Sequence, residues 1–402
     1  MIPRFAVLGG GSPFTAALVE ALREEAAGVP PMQLVLHGRS PVPLARMKAY
    51  AAHRLGPRGW TVRAETALDA ALDGAAFVLH QVRYGGMEGR ARGETFCARF
   101  GVPADETLGP AALRTAVALA PAMARTANAL RTCCPDAWVL NLTNPLSCAT
   151  ALLADAVPNV AGLCELPLCT VEEAAAVFGL SLDEVEWEYA GLNHRGFVTA
   201  LRHGDRDLLA ELPARLGERT IGGVRADEIA AVGALPLKYH RLLAGEVPAP
   251  GRAAYLRGVR TTLLRELRDP SRVPASLADR AMPWYARAAV PVLAALAGGP
   301  PAHLTLNLHR GDDVVEEVPA MVDARGVHPR PAASVPPAAA AWLRRFRTHE
   351  GAVMRAVRDP GRERLREALE VDPVIPAGVA ERIADALARG LDRERRAAEV
   401  GR

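Results

Sequence analysis

Arg4-Phe-Ala-Val-Leu-Gly-Gly-Gly-Ser-Pro-Phe14 decides the fold. The apolar run at residues 4–8 reads as a first strand. Gly9, Gly10, Gly11 and Ser12 form a turn, and helical spacing runs from Phe14 to Glu24. Strand, glycine turn and helix in that order are the setting a dinucleotide fingerprint requires. Glycines let the backbone approach a pyrophosphate, and the helix N-terminus attracts its charge. Phe14 stands at the third glycine position, so the flanking strand and helix carry the reading. Gly9, Gly10, Gly11, Ser12 and Phe14 are therefore the expected cofactor contacts.

The same rhythm continues outward. Gln33-Leu-Val-Leu36 is a second strand, after which a nucleotide fold usually places an acid for the ribose 2′-hydroxyl. Here the chain reads His37-Gly38-Arg39-Ser40. Arg39 and Ser40 could accept a 2′-phosphate, with a solvated loop arginine as the plain alternative, so NAD is expected and NADP stays open. Ala75-Ala-Phe-Val-Leu79 is another buried strand. It runs into a loop with Arg83, Gly85, Gly86 and Arg90, which is either an anion-facing loop or ordinary turn chemistry. A loop at Asp105–Pro110 precedes a long helix from Ala111 to Arg131. The strand Trp138-Val-Leu140 then leads to Asn141-Leu-Thr-Asn144-Pro145 at a strand end, where α/β ligand sites form. Asn141 and Asn144 are candidate site residues there, with helix capping as the plain alternative.

Val160-Ala-Gly-Leu163 presents Cys164, and Ala190-Gly-Leu-Asn193 presents His194. A buried thiol is usually a small hydrophobe. A thiolate paired with an imidazole also suits a soft or borderline divalent ion. Two ligands do not close a structural zinc site, but they suffice for an open one completed by substrate oxygens and water. Past residue 200 helical patterns dominate, at 205–217, 226–246, 252–268 and 284–297, with an amphipathic tail from 337. His303–His309 and Val314–Val318 form a hairpin around Arg310-Gly-Asp-Asp. The expected fold is α/β: a Rossmann-like doubly wound parallel sheet over residues 1–198, then a mostly helical α+β C-terminal domain over 199–402 for substrate binding and oligomerisation.

Of the 402 residues, 50% are apolar, enough for a large core, and about 150 residues per domain implies two or three domains. A net charge of +3, scattered arginines and 5% aromatics exclude a nucleic-acid surface. No apolar run reaches the roughly 18 residues needed to cross a membrane. The six cysteines show no CxxC pair and read as reduced thiols of a cytoplasmic protein.

Taken together, the pieces resemble glycoside hydrolase family 4, the NAD- and metal-dependent glycosidases. They are Gly9–Ser12, Arg83-x-Gly-Gly-x-Glu-x-Arg90, Glu106-Thr-x-Gly-Pro110, Asn141-x-Thr-Asn-Pro145, Gly162-Leu-Cys164, Gly191-Leu-Asn-His194, Pro236-x-x-Tyr239, Arg280 with Tyr285, and Val315-Glu-Glu-Val-Pro319. The resemblance spans residues 4–376. It implies that Cys164 and His194 ligate Mn²⁺ or another divalent metal, and that Tyr239 is the base removing the proton at sugar C2. Asn141 would lie at the cofactor, with Arg39 and Ser40. Arg83, Arg90, Asn144, Glu165, Asn193 and Arg280 would line the site of a glycoside, expected to be a 6-phospho-glucoside, α or β. The implied assembly is a homodimer or homotetramer. The reaction is oxidation at C3, elimination across C1–C2, water addition and re-reduction, outside the usual two-carboxylate scheme.

Three departures bear on specificity. The second strand ends in His37-Gly38-Arg39 where the family has Asp. Cys164-Glu165-Leu-Pro167 resembles the phospho-sugar subgroup with a lengthened acid. The run after Tyr239 lacks the family's further tyrosines. A malate- or lactate-type dehydrogenase is the alternative enzyme, disfavoured by the lack of an Arg/His/Asp relay. A non-catalytic nucleotide and sugar sensor is the alternative of another class.

Overall fold

The computed structural model describes residues 2–24, 28–311, 313–331 and 334–400. Six strands open the chain: β1 (Arg4–Leu8), β2 (Gln33–His37), β3 (Thr61–Glu65), β4 (Phe77–His80), β5 (Trp138–Asn141) and β6 (Val160–Leu163). They lie parallel in the order 3-2-1-4-5-6, the dinucleotide-binding arrangement. Phe5 to Leu8 are buried on both faces, as a central parallel strand covered by helices must be. The covering helices are α1 (Thr15–Arg23), α2 (Pro41–Leu55), α3 (Leu68–Leu72), α4 (Gly86–Ala98), α5 (Gly109–Cys133), α6 (Leu146–Ala154) and α7 (Leu166–Ala176). Strand order reverses between β1 and β4, so their carboxyl ends open the crevice that receives a ligand.

The sheet does not stop at β6. The later strands are β7 (Glu186–Leu192), β8 (Arg195–His203), β9 (Arg206–Asp207), β10 (Leu235–Pro236), β11 (Ala302–His309), β12 (Val315–Asp323) and β13 (Gly326–Pro329). β11 pairs antiparallel with β6, and β12, β7, β8 and β10 follow, giving thirteen strands among the described residues. The β6–β11 junction requires Gly162, since a Cβ there would stand 2.9 Å from the Asn307 Cβ and 2.6 Å from Thr150 Oγ1. The β11–β12 hairpin falls where the sequence placed it. Asp312 of its turn lies outside the described residues.

The later helices are α8 (Leu208–Leu216), α9 (Ala226–Val232), α10 (His240–Leu243), α11 (Arg252–Glu266), α12 (Val290–Leu296), α13 (Pro337–Arg358), α14 (Arg362–Glu370) and α15 (Ala380–Val400). The last three fold back on α4, α5 and α6 around a shared apolar core that includes Met354, Leu365 and Ile383. The helical pattern expected over 226–246, with Pro236 interrupting it, divides into α9, β10 and α10. Gly233 takes φ +70 and caps α9, and Leu235-Pro236 leaves the helix to pair with β8. Pro236 has no N–H for a continued helical ladder, whereas the edge position in β10 tolerates it. The break leaves Tyr239 just before α10, with its ring stacked on His194. Among the described residues no helix is long and apolar enough to cross a membrane.

Candidate active site

The glycine turn is tight by necessity. Gly9 sits at φ +88, and a Cβ there would lie 2.9 Å from the Gln81 carbonyl. A Cβ on Gly10 would approach Val7 O to 2.9 Å and Leu36 Cα to 3.0 Å. This backbone cradle at the head of α1 fits a dinucleotide pyrophosphate. Gln81 braces it: its amide donates to Thr15 Oγ1 at 2.9 Å and its carbonyl accepts from the Tyr285 hydroxyl at 2.7 Å. Phe14 stacks under the Arg280 guanidinium, whose carbon lies 4.6 Å from the ring centroid, with Trp284 at 5.2 Å from the same group. The residue at the third glycine position thus ties cofactor turn to sugar side.

Asn141, expected at the cofactor, is buried and its amide is engaged within the fold. Its Oδ1 lies 2.9 Å from His80 Nδ1, and its Nδ2 donates to Thr150 Oγ1 at 3.0 Å. The side chain braces the strand ends. Arg39 and Ser40 stand exposed at the β2–α2 turn, beside the glycine turn, since a Cβ on Gly38 would lie 3.3 Å from Gly11 N.

Glu106 is the hub of the opposite wall. It accepts from Arg83 at 3.0 Å, from Arg90, and from Asn144 Nδ2 at 3.1 Å. Burial raises its pKa, but the Arg83 and Arg90 charges outweigh that and hold it at about 2. Arg280 faces the same cluster. Burial and the nearby Arg83 push its pKa down to about 10, with Arg252 adding to the repulsion and Glu106 opposing it. Arg83 and Arg90 thus share the Glu106 carboxylate, and Arg90 also pairs with Glu94.

Cys164 follows β6 and His194 follows β7, and both neighbour Tyr239. His194, two residues past the end of β7, has φ +63, a strained setting for a non-glycine residue that clusters at functional sites. Its Nδ1 lies 2.7 Å from the Thr107 hydroxyl, which fixes the ring and leaves Nε2 to face a ligand. The Tyr239 ring stacks on the imidazole at 4.2 Å and 6°. Burial lowers the His194 pKa to about 3, so the imidazole is neutral, the form that ligates metal. Burial raises the Cys164 pKa well above its usual value, with Glu317 and Glu165 adding to the effect and a hydrogen bond from Asn193 opposing it. The donor chemistry fits a soft or borderline divalent ion. The buried Asn193 Oδ1 has no partner, and the Asn193 amide hydrogen-bonds to Cys164. Among the described residues no group of three or more Cys, His, Asp or Glu is placed to hold a metal ion. Tyr239 has its pKa raised by burial and by Asp105, Glu106, Cys164 and Glu165 around it. Glu165 lies toward Tyr239 and Lys238, whose charge opposes the burial that raises its pKa.

The family 4 glycosyl hydrolase domain matches residues 4–180 and the C-terminal domain of the same family matches 189–375. The chain is a family 4 glycosyl hydrolase. A probable 6-phospho-beta-glucosidase of Bacillus subtilis is 25% identical over 95% of both chains. The Thermotoga maritima 6-phospho-beta-glucosidase structure with manganese, NAD⁺ and glucose-6-phosphate superposes with TM-score 0.85, at 21% identity over 98% of each chain. A lactate dehydrogenase of Cryptosporidium parvum gives TM-score 0.57 at 14% identity, covering 90% of this chain and 99% of its own. The dehydrogenases share the nucleotide fold, and the glycosidase matches far better. The family 4 hydrolase also carries buried supports that the sequence reading passed over. Thr107 orients His194. Glu317 accepts from Tyr189, from Asn307 Nδ2 at 2.8 Å and from Asn193 Nδ2 at 3.4 Å. Arg195 is paired with Glu350 in the interior. Glu317 and Thr107 sit inside motif pieces already quoted. Glu350, an acid in an apolar stripe of a helix, was marked only by that misfit.

Proposed function

We propose that this chain is a 6-phospho-glucosidase that cleaves by transient oxidation and elimination. Arg280, placed near Arg83 and Arg252 while Arg83 is already paired with Glu106, carries the phosphate reading. Arg280 makes no ion pair among the described residues, and a sugar phosphate supplies the missing anion. Glu165 does not oppose this, because it faces Lys238 and Tyr239.

Gly9, Gly10, Gly11 and Ser12 would hold the dinucleotide, and Cys164 and His194 the divalent metal. When bound, these groups supply a hydride acceptor at sugar C3 and a Lewis acid that acidifies C2 and favours the Tyr239 phenolate. Tyr239 takes the C2 proton, since its ring is held against the metal histidine at 4.2 Å. Asn193 and Asn144 orient the sugar, and Arg90 with Glu106 fixes the wall behind it. Trp284 and Phe14 exclude water on the Arg280 side.

The test is a panel of aryl glucosides, α and β, with and without 6-phosphate, in Mn²⁺, nicotinamide dinucleotide and a thiol reductant. Aryl alcohol release that requires phosphate, metal and nucleotide together is expected, with Tyr239→Phe losing turnover but not nucleotide binding. Release from unphosphorylated glucosides alone, or full activity of Tyr239→Phe, would reject the reading.

A further inference from the structure

The charge at the adenosine end of the cofactor cradle is opposite to what a free ribose requires. In a nucleotide sheet the turn after β2 meets the 2′-position, and an acid there binds the hydroxyl and repels a phosphate. This turn reads Gly38-Arg39-Ser40, and Gly38 packs against Gly11, so the turn borders the cradle itself. Arg39 is exposed and forms no ion pair among the described residues. Ser40 precedes α2, and its hydroxyl makes no capping hydrogen bond. Glu65 ends the adjacent strand opposite His37, but Arg63 engages its carboxylate at 2.7 Å. Burial lowers the His37 pKa, with the Thr66 backbone opposing and Arg39 adding to the shift. His37 is therefore neutral and adds no charge. Beyond the turn, Arg39 and Arg125 both act on the Tyr84 phenol. Arg39 and Arg125 thus both act beside this turn, and the Glu65 carboxylate is engaged by Arg63.

We infer that the dinucleotide of this enzyme carries a 2′-phosphate, held by the Arg39 guanidinium and the Ser40 hydroxyl, so that the chain prefers NADP to NAD. The inference rests on the glycine turn being the cofactor site. A 2′-phosphate brings about two negative charges and three acceptor oxygens, matched by a planar guanidinium. No change in the chemistry at the nicotinamide end is required, because the 2′-position lies at the other end of the molecule.

The experiment is equilibrium binding to the full chain, without metal or sugar, of NADP, NAD, 2′,5′-ADP and 5′-ADP. NADP is expected to bind at least about tenfold tighter than NAD, the scale of one charge-assisted hydrogen bond. The adenosine fragments should show the same order, and the gap should shrink with added salt. Arg39→Ala should weaken NADP by about that factor and change NAD less than about twofold. Circular dichroism checks that this surface variant folds. NAD binding as tightly as NADP, or a preference that survives Arg39→Ala, overturns the inference and leaves the glycosidase reading standing. If neither dinucleotide binds, the cofactor site itself is wrong and both fall.

Discussion

Glu350→Ala tests whether the interior ion pair behind the active site holds it in shape. Arg195 and Glu350 are 4% and 2% exposed, and the second Glu350 oxygen accepts from the Val315 amide at 3.0 Å. Removing the carboxylate leaves a buried guanidinium without its counter-charge, at a cost of about 3–5 kcal/mol. The Val315 amide also loses its acceptor, worth about 1–3 kcal/mol, and the two losses overlap. His349 Nδ1, at 3.3 Å from Arg195, offsets part of it, so about 4 kcal/mol is expected. Unfolding entropy for 402 residues is about 0.8 kcal/mol/K, so Tm should fall by about 5 °C. Arg195 follows His194 directly and also donates to the Asn193 carbonyl at 3.3 Å. Loosening it should weaken Mn²⁺ binding by about tenfold, as loss of an outer-shell support does. The double variant Arg195→Met/Glu350→Leu should recover most of the Tm, because no lone charge remains. Circular dichroism melts and Mn²⁺ titration measure both effects. A Glu350→Ala melt within about 1 °C of wild type would refute the reasoning.

Gly196→Ala should be severely destabilising or insoluble, because its Cβ would run into the Tyr189 ring. Gly361→Ala, whose Cβ meets nothing within 4 Å, should express and melt like wild type. Glu106 gives a pH signature. Its folded pKa of about 2 lies below the ordinary carboxylate value of 4.5, so its contribution is present above pH 4.5 and fades as pH falls toward 2. Glu106→Gln should therefore melt below wild type at pH 6, with the gap narrowing by pH 3. A gap constant across that range would contradict the ion-pair assignment.

The parallel half of the fold was legible because its signals are local. Phe5–Leu8 and Val160–Leu163 are continuous apolar runs, and Gly9–Gly11 marks the turn. The joining of β6 to β11 was not legible, because Leu163 and Leu306 pair across a long chain separation and no short window encodes that register. The helical pattern expected over 226–246 divides for a related reason: apolar spacing continues through Gly233 and Pro236, but the β8 edge offers Leu235 a pairing that periodicity cannot register. Cys164, His194 and Tyr239 were singled out by their motifs; in the structure the His194 and Tyr239 rings stack, and Cys164 acts on the Tyr239 phenol. Their supports were harder to see. Glu317 and Glu350 are acids in strand and helix interiors, where sequence alone reads a charged residue as solvent-facing.

Hydrolysis of a reactive 6-phospho-glucoside in D₂O tests the central claim most directly. Proton removal at C2 by Tyr239 predicts deuterium at C2 of the released sugar phosphate, and no turnover without nicotinamide dinucleotide. Released sugar with only hydrogen at C2, formed at full rate without the dinucleotide, would show direct displacement at C1 and contradict the account.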